Sequence, residues 1–94
     1  MNELSKTLEA RKSVYGDYAS GVEFRAHLMS CIKIHHRLVQ GREMDETDAL
    51  CIFDVVNKIC RLAVTPSHID SWHDIAGYAT IIENYYKEKE DANK

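Results

Sequence analysis

The chain predicts an all-α fold: a four-helix antiparallel bundle. Three observations carry that expectation. Apolar residues recur with helical spacing through long segments. No segment alternates with period two for long enough to make a strand. Helix-stopping residues fall between the periodic segments, at Gly16, Gly41 and Pro66. The connections are short, and short connections make neighbouring helices antiparallel.

The first helix is expected from about Asn2 to Ser13, with Leu4, Leu8 and Arg11 on one face. Tyr15-Gly16-Asp17 is the turn that stops it. The second is expected from about Ser20 to Gln40. Phe24, Leu28, Cys31, Ile32, His35, Leu38 and Val39 make its core stripe, and Gly41 supplies the stop. The third starts at Asp45 as N-cap, with Glu46 and Asp48 in the first turn where the helix dipole favours acids. It runs to about Val64. Two stripes, Ala49/Ile52/Phe53/Val56/Ile59/Cys60/Ala63 and Cys51/Val55/Leu62, cover most of its circumference, so it is central. After Pro66 the fourth helix is expected from a Ser67 cap, with Asp70 in the capping-box position, to about Glu88. Ile69, Trp72, Ile75, Ala76, Ala79 and Ile82 are its expected core face. The polar tail 87–94 is expected to fray.

At 94 residues the chain reads as one domain, residues 1–94, and so short a chain builds only a marginal core. Self-association would add burial, and the aromatic residues of the fourth helix suit an interface, so a homo-oligomer, a dimer or higher, is expected. Charged residues are 29% and no apolar run approaches the about 20 residues that span a bilayer. No signal-peptide core opens the chain, which points to a cytoplasmic protein. A net charge of −3 without a long basic run argues against duplex nucleic acid as a partner. Three cysteines, Cys31, Cys51 and Cys60, are odd in number and form no CxxC pair, which reads as reduced thiols. The five histidines have no zinc-like spacing, and His35 reads as a core residue.

Three constellations carry possible chemistry. Asp70, Asp74 and Tyr78 stand at i, i+4, i+8 on one helical face. Two carboxylates one turn apart can hold Mg²⁺ or anchor cationic side chains. Asp54, Lys58 and Arg61 stand at i, i+4, i+7, and Lys58 with Arg61 can clamp a phosphate. If the third and fourth helices are antiparallel, these two rows face each other. They then make either a closed internal ion-pair network or a charged ligand groove. The third constellation is Arg11, Tyr15, Gly16 and Asp17. It is either a helix stop followed by an Asx-turn, or a turn whose tyrosine stacks on a base and whose glycine lets a ligand approach.

The residues Arg11, Tyr15-Gly16-Asp17, then Asn57-Lys58 with Arg61-Leu62, then Asp70-Ser71-Trp72 with Asp74-Ile75-Ala76-Gly77-Tyr78, form a pattern. It resembles a family of small phage and prophage helical proteins, over roughly residues 8–86. That family is in turn distantly similar to the MazG-like all-α nucleoside triphosphate pyrophosphohydrolases. The resemblance implies a MazG-like bundle in a bacterial host. It implies a nucleotide ligand at Arg11, Tyr15, Asp17, Lys58, Arg61, Asp70, Asp74 and Tyr78, and places Asp70 and Asp74 where MazG-like enzymes bind Mg²⁺. The pattern departs from those enzymes in its acids. The second helix holds no ExxE, its only acid being Glu23, and the later pair is Asp-x-x-x-Asp rather than ExxD. Three functions follow as expectations. The first is a phage-type protein that binds or sequesters a linear or cyclic nucleotide between helices three and four, as an anti-defence device. The second is a Mg²⁺-dependent nucleotide pyrophosphohydrolase. The third is a helical protein-interaction module.

Overall fold

The computed structural model describes residues 3–93, apart from the side chain of Ser13. Four helices occupy nearly all of that span: α1 (Glu3–Tyr15), α2 (Tyr18–Gln40), α3 (Glu46–Val64) and α4 (Ile69–Ala92). No strand occurs among the described residues. No helix is long and apolar enough to cross a membrane.

The local chemistry accounts for the helix ends. Gly16 (φ +81°) closes α1, its N–H bonding to the Lys12 carbonyl at 2.9 Å. A left-handed residue is the usual way to satisfy the last carbonyls of a helix, and glycine adopts it without a Cβ clash. Asp17 follows at once as the N-cap of α2, its carboxylate accepting from the N–H of Ala19 (3.0 Å) and Ser20 (3.4 Å). Tyr15-Gly16-Asp17 is therefore a stop and a start in three residues. α1 reaches two residues past the expected Ser13, and α2 begins two before the expected Ser20. The expected start at Asn2 lies outside the described residues. Gly41 (φ +74°) ends α2 where expected, bonding to the Arg37 carbonyl.

α4 departs from expectation at both ends. Its N-cap is His68 rather than Ser67, and the imidazole Nδ1 lies 2.8 Å from Ser71 Oγ. At the other end the helix runs past the expected Glu88 to Ala92. That segment is rich in good helix formers, and Lys87 pairs with Glu83 one turn back at 2.8 Å.

α3 is the axis of the molecule, and α1, α2 and α4 each pack on it. Gly21 of α2 lies against Cys60, and Arg25 donates to Asn57 Oδ1 at 2.8 Å. On the other side Lys58 pairs with Asp74, and Tyr86 donates to Asp48. These contacts run in opposite order along both pairs, so α2 and α4 are each antiparallel to α3. The Tyr86 bond also holds that phenol protonated, its pKa raised by the donated bond to Asp48 and by burial. Residues two apart on a helix lie about 200° apart. Cys60 and Lys58 thus point to opposite sides of α3, and α2 and α4 flank it rather than meet. The result is a layer of three helices with α1 over one end of one face.

Few of the expected core positions close. Among the described residues the buried apolar side chains are Ala49, Val56, Cys60 and Leu62, all on α3. α2 buries none of its residues fully. Cys31, His35, Leu38 and Val39 are exposed, and so are Ile69, Trp72, Ala76 and Ala79 of α4. These were expected in the core, and in a closed bundle their stripes would meet. In this flat arrangement the outer helices pack mainly on α3, so most of each stripe has nothing to cover it. His36 turns inward in place of His35, its Nε2 enclosed without a hydrogen-bond partner. The most enclosed residue of α4 is Ser71.

Gly77 stands in the middle of α4, with open space where a Cβ would project. A glycine there costs helix stability and packs nothing in return. Gly77→Ala is expected to raise the unfolding free energy by about 0.8 kcal/mol. Urea melts of the two proteins measure this, and a loss instead would show that the site is crowded in solution.

Candidate functional site

The hinge after α1 is pinned to the end of α3. Thr65 Oγ1 donates to the Val14 carbonyl, and a Cβ on Gly16 would sit 3.2 Å from Val64 Cγ2. This fixes Tyr15 at the mouth of a groove. The Arg61 guanidinium carbon lies 4.7 Å from its ring centroid and that of Arg11 5.5 Å. The His68 ring meets it edge-on at 5.4 Å. Cations over an aromatic face are attracted by its quadrupole.

The groove runs between α1, the N-terminal half of α2 and the C-terminal half of α3, with a volume of about 460 Å³. Arg11, Lys12, Arg25 and Arg61 bring four cationic side chains to it, and Asp17 the one carboxylate. That carboxylate is already committed to capping α2. Tyr18 stands at the rim, almost wholly in solvent. A chain of net charge −3 has thus gathered cations in one cleft beside two tyrosines. Clefts lined by one sign of charge focus the field on a ligand of the opposite sign.

The seam between α3 and α4 is built differently. Lys58 Nζ lies 3.0 Å from Asp74 Oδ2; the lysine side chain is 11% exposed and the aspartate 42%. The bond from Lys58 holds the Asp74 carboxyl below its ordinary value; partial burial opposes this, and the charges of Lys58, His73 and Arg61 add to it. Ser71 and Leu62 fill the seam beside the pair.

The structure therefore divides the residues expected at one site. Arg11, Tyr15, Asp17 and Arg61 come together in the groove. Lys58 and Asp74 close on each other in the seam, and Tyr78 lies half-buried on the same face of α4. Asp70 is exposed on the first turn of α4, away from the groove. The groove lies among α1, α2 and α3 and not between α3 and α4, because the Lys58–Asp74 pair and Ser71 fill that seam. Lys58 and Arg61 do not form a joint clamp. Three residues apart, they diverge by about 60° around α3, enough to send one into the seam and the other under α1.

Mg²⁺ at Asp70 and Asp74 does not fit this geometry. The lysine ammonium sits where a cation bound to Asp74 would be, and Asp70 brings no further ligand. Among the described residues no group of three or more His, Cys, Asp or Glu side chains is placed to hold a metal ion. Sequence reasoning overlooked Lys12, Tyr18 and Arg25. Arg25 stands four residues after Gly21, where α2 packs against Cys60 of α3, and an arginine on a packing face was the available signal.

Fold and groove together define a small all-helical protein with a cation-lined, tyrosine-flanked cleft. The chain belongs to the family described as "Domain of unknown function (DUF6378)", which matches residues 1–86. No curated protein matches it, and no solved structure does. The match spans α1 to most of α4, so groove and seam both lie inside the family's extent.

Proposed function

We propose that the protein binds a nucleotide, by its phosphates and its base, in the groove between α1, α2 and α3, and does not hydrolyse it. The observation that supports this most directly is the charge count: four cations against one carboxylate that already caps a helix. Arg11, Arg25 and Arg61 offer planar, bidentate donors suited to phosphate oxygens. Tyr15 and Tyr18 offer faces for a base to stack on. Hydrolysis of the MazG type would require a carboxylate set for a metal, and the groove holds none. The resemblance to phage and prophage helical proteins, and distantly to MazG-like enzymes, supports a nucleotide as the ligand. In this reading the protein acts in the cytoplasm of a bacterial host as a phage-type sequestering protein, in an oligomeric form.

The test is retention. The purified protein is mixed with linear and cyclic nucleotides plus Mg²⁺, the free pool is filtered away, and both fractions are chromatographed after denaturation. A nucleotide recovered intact with the protein is the expected result. Arg61→Ala should then weaken binding about 10- to 100-fold, the usual weight of a charge-assisted contact, while Lys58→Met should leave it unchanged. Conversion to a monophosphate would favour the pyrophosphohydrolase. Neither retention nor conversion across the panel would leave the interaction module as the better reading.

A further inference from the structure

The face of the helical layer opposite the groove carries an apolar patch, beside the Asp48–Tyr86 pair. Around α3, Arg61 lies on the groove side, midway between the directions of α2 and α4. Ile59, two residues away, lies on the reverse side together with Ile52 and Ala63, at i, i+7 and i+11 from Ile52. On α2, Arg25 turns toward Asn57 and the groove, so Phe24 and Leu38 fall on the reverse flank. On α4, Asp74 turns toward Lys58 and the charge of Arg61, so Trp72, about 160° away, falls on the reverse flank as well. Leu38 is 75% exposed, Trp72 56% and Ile59 39%. Phe24, Leu38, Ile52, Ile59, Ala63 and Trp72 carry no charge among them, and they come from three different helices.

The surface area indicates what covers them. A compact monomer of this mass, 10.8 kDa, exposes about 5,500 Å². This chain exposes 7161 Å². Its radius of gyration is 16.5 Å, against about 12.4 Å for a compact domain of this length. The surplus, about 1,600 Å² per chain, exceeds the about 800 Å² that each partner buries in a standard stable interface and falls in the range of obligate homodimers. A chain that cannot bury its own stripes finds the matching stripes on a second copy, since a two-fold axis sets one patch against itself.

We propose that this apolar face docks a second copy of the chain, two three-helix layers closing into one two-layer bundle with a binding groove on each outer side. The Phe24, Leu38 and Trp72 stripes then become core, as their helical spacing implies. The inference does not depend on the ligand, because the groove lies on the opposite face and stays open in the dimer.

Trp72, the single tryptophan, reports on this face in the unaltered protein. Light scattering or sedimentation across a dilution series is expected to give twice the chain mass. Trp72 emission should shift to longer wavelength, and become more readily quenched, as the dimer dissociates. Ile59→Glu should raise the dissociation constant about 100-fold or more, as a charge buried in an interface centre does. Leu50→Glu, exposed on the groove side, should leave it unchanged. A chain that is monomeric at every concentration, with a melting temperature independent of concentration, would overturn the proposal. So would a dimer whose mass Ile59→Glu does not alter and whose Trp72 emission stays constant on dissociation. If Ile59→Glu does not fold, the wild-type mass and Trp72 series decide alone.

Discussion

Asp74→Ala is expected to destabilise the protein more than any other single substitution in the seam, and Lys58→Met to be almost neutral. The two residues form one ion pair, but their surroundings differ. The lysine side chain is 11% exposed and the aspartate 42%. Removing the lysine charge leaves a carboxylate that water can still reach. A methionine of similar length keeps the stem packed against α4, so the change should stay within about 1 kcal/mol. Removing the aspartate leaves an ammonium enclosed in the seam with no counter-charge, and such an orphan costs more than the pair contributed. The double variant should recover most of the Asp74→Ala loss, and a double-mutant cycle on chemical denaturation measures that coupling. Equal losses from the two single variants would mean that the lysine is solvated in solution. The pair also sets an acid limit. Because the folded state holds the Asp74 carboxyl below its ordinary value of 3.8, its contribution is complete above that pH and is lost as pH falls through the depressed value. Asp74→Asn should therefore flatten the stability curve below pH about 4 and leave its slope near neutrality unchanged.

Gly16→Ala is expected to cost about 2 kcal/mol, from a left-handed backbone forced on a residue with a Cβ and from the push of that Cβ against Val64. Gly41→Ala gives the comparison. Its φ is almost the same, but nothing lies near the added methyl, so about 1 kcal/mol is expected there. The difference between the two isolates the contact with α3. Gly16→Ala should also weaken the proposed nucleotide binding, because it moves the hinge that seats Tyr15 between Arg11 and Arg61, whereas Gly41→Ala at the far end of α2 should not. A Gly16→Ala protein with unchanged stability would show that the hinge is not seated on Val64.

Much of this protein was determined by its sequence alone. The four helices, their order and the central place of α3 follow from periodicity and from Gly16, Gly41 and Pro66, all of which act within a few residues of chain. Arg11, Tyr15 and Asp17 were legible together at one turn, and Arg61 separately as a cation in the row with Lys58, for the same reason: a helix stop, an N-cap and a cation on a helix face are local features. Which cations share a groove was decided only by tertiary structure. Lys58 and Arg61 are three residues apart and diverge by about 60°, and only the positions of α1 and α4 send one under Tyr15 and the other to Asp74. The seam was equally ambiguous, since two facing charged rows make a ligand groove or a closed pair depending on separation, and 3.0 Å closed it. The apolar stripes mark the reach of local information most clearly. Spacing identified Leu38 and Trp72 as residues that require burial. Whether that burial comes from a neighbouring helix or from another molecule depends on how far around α3 the flanking helices pack, and no pattern within a single helix records that angle.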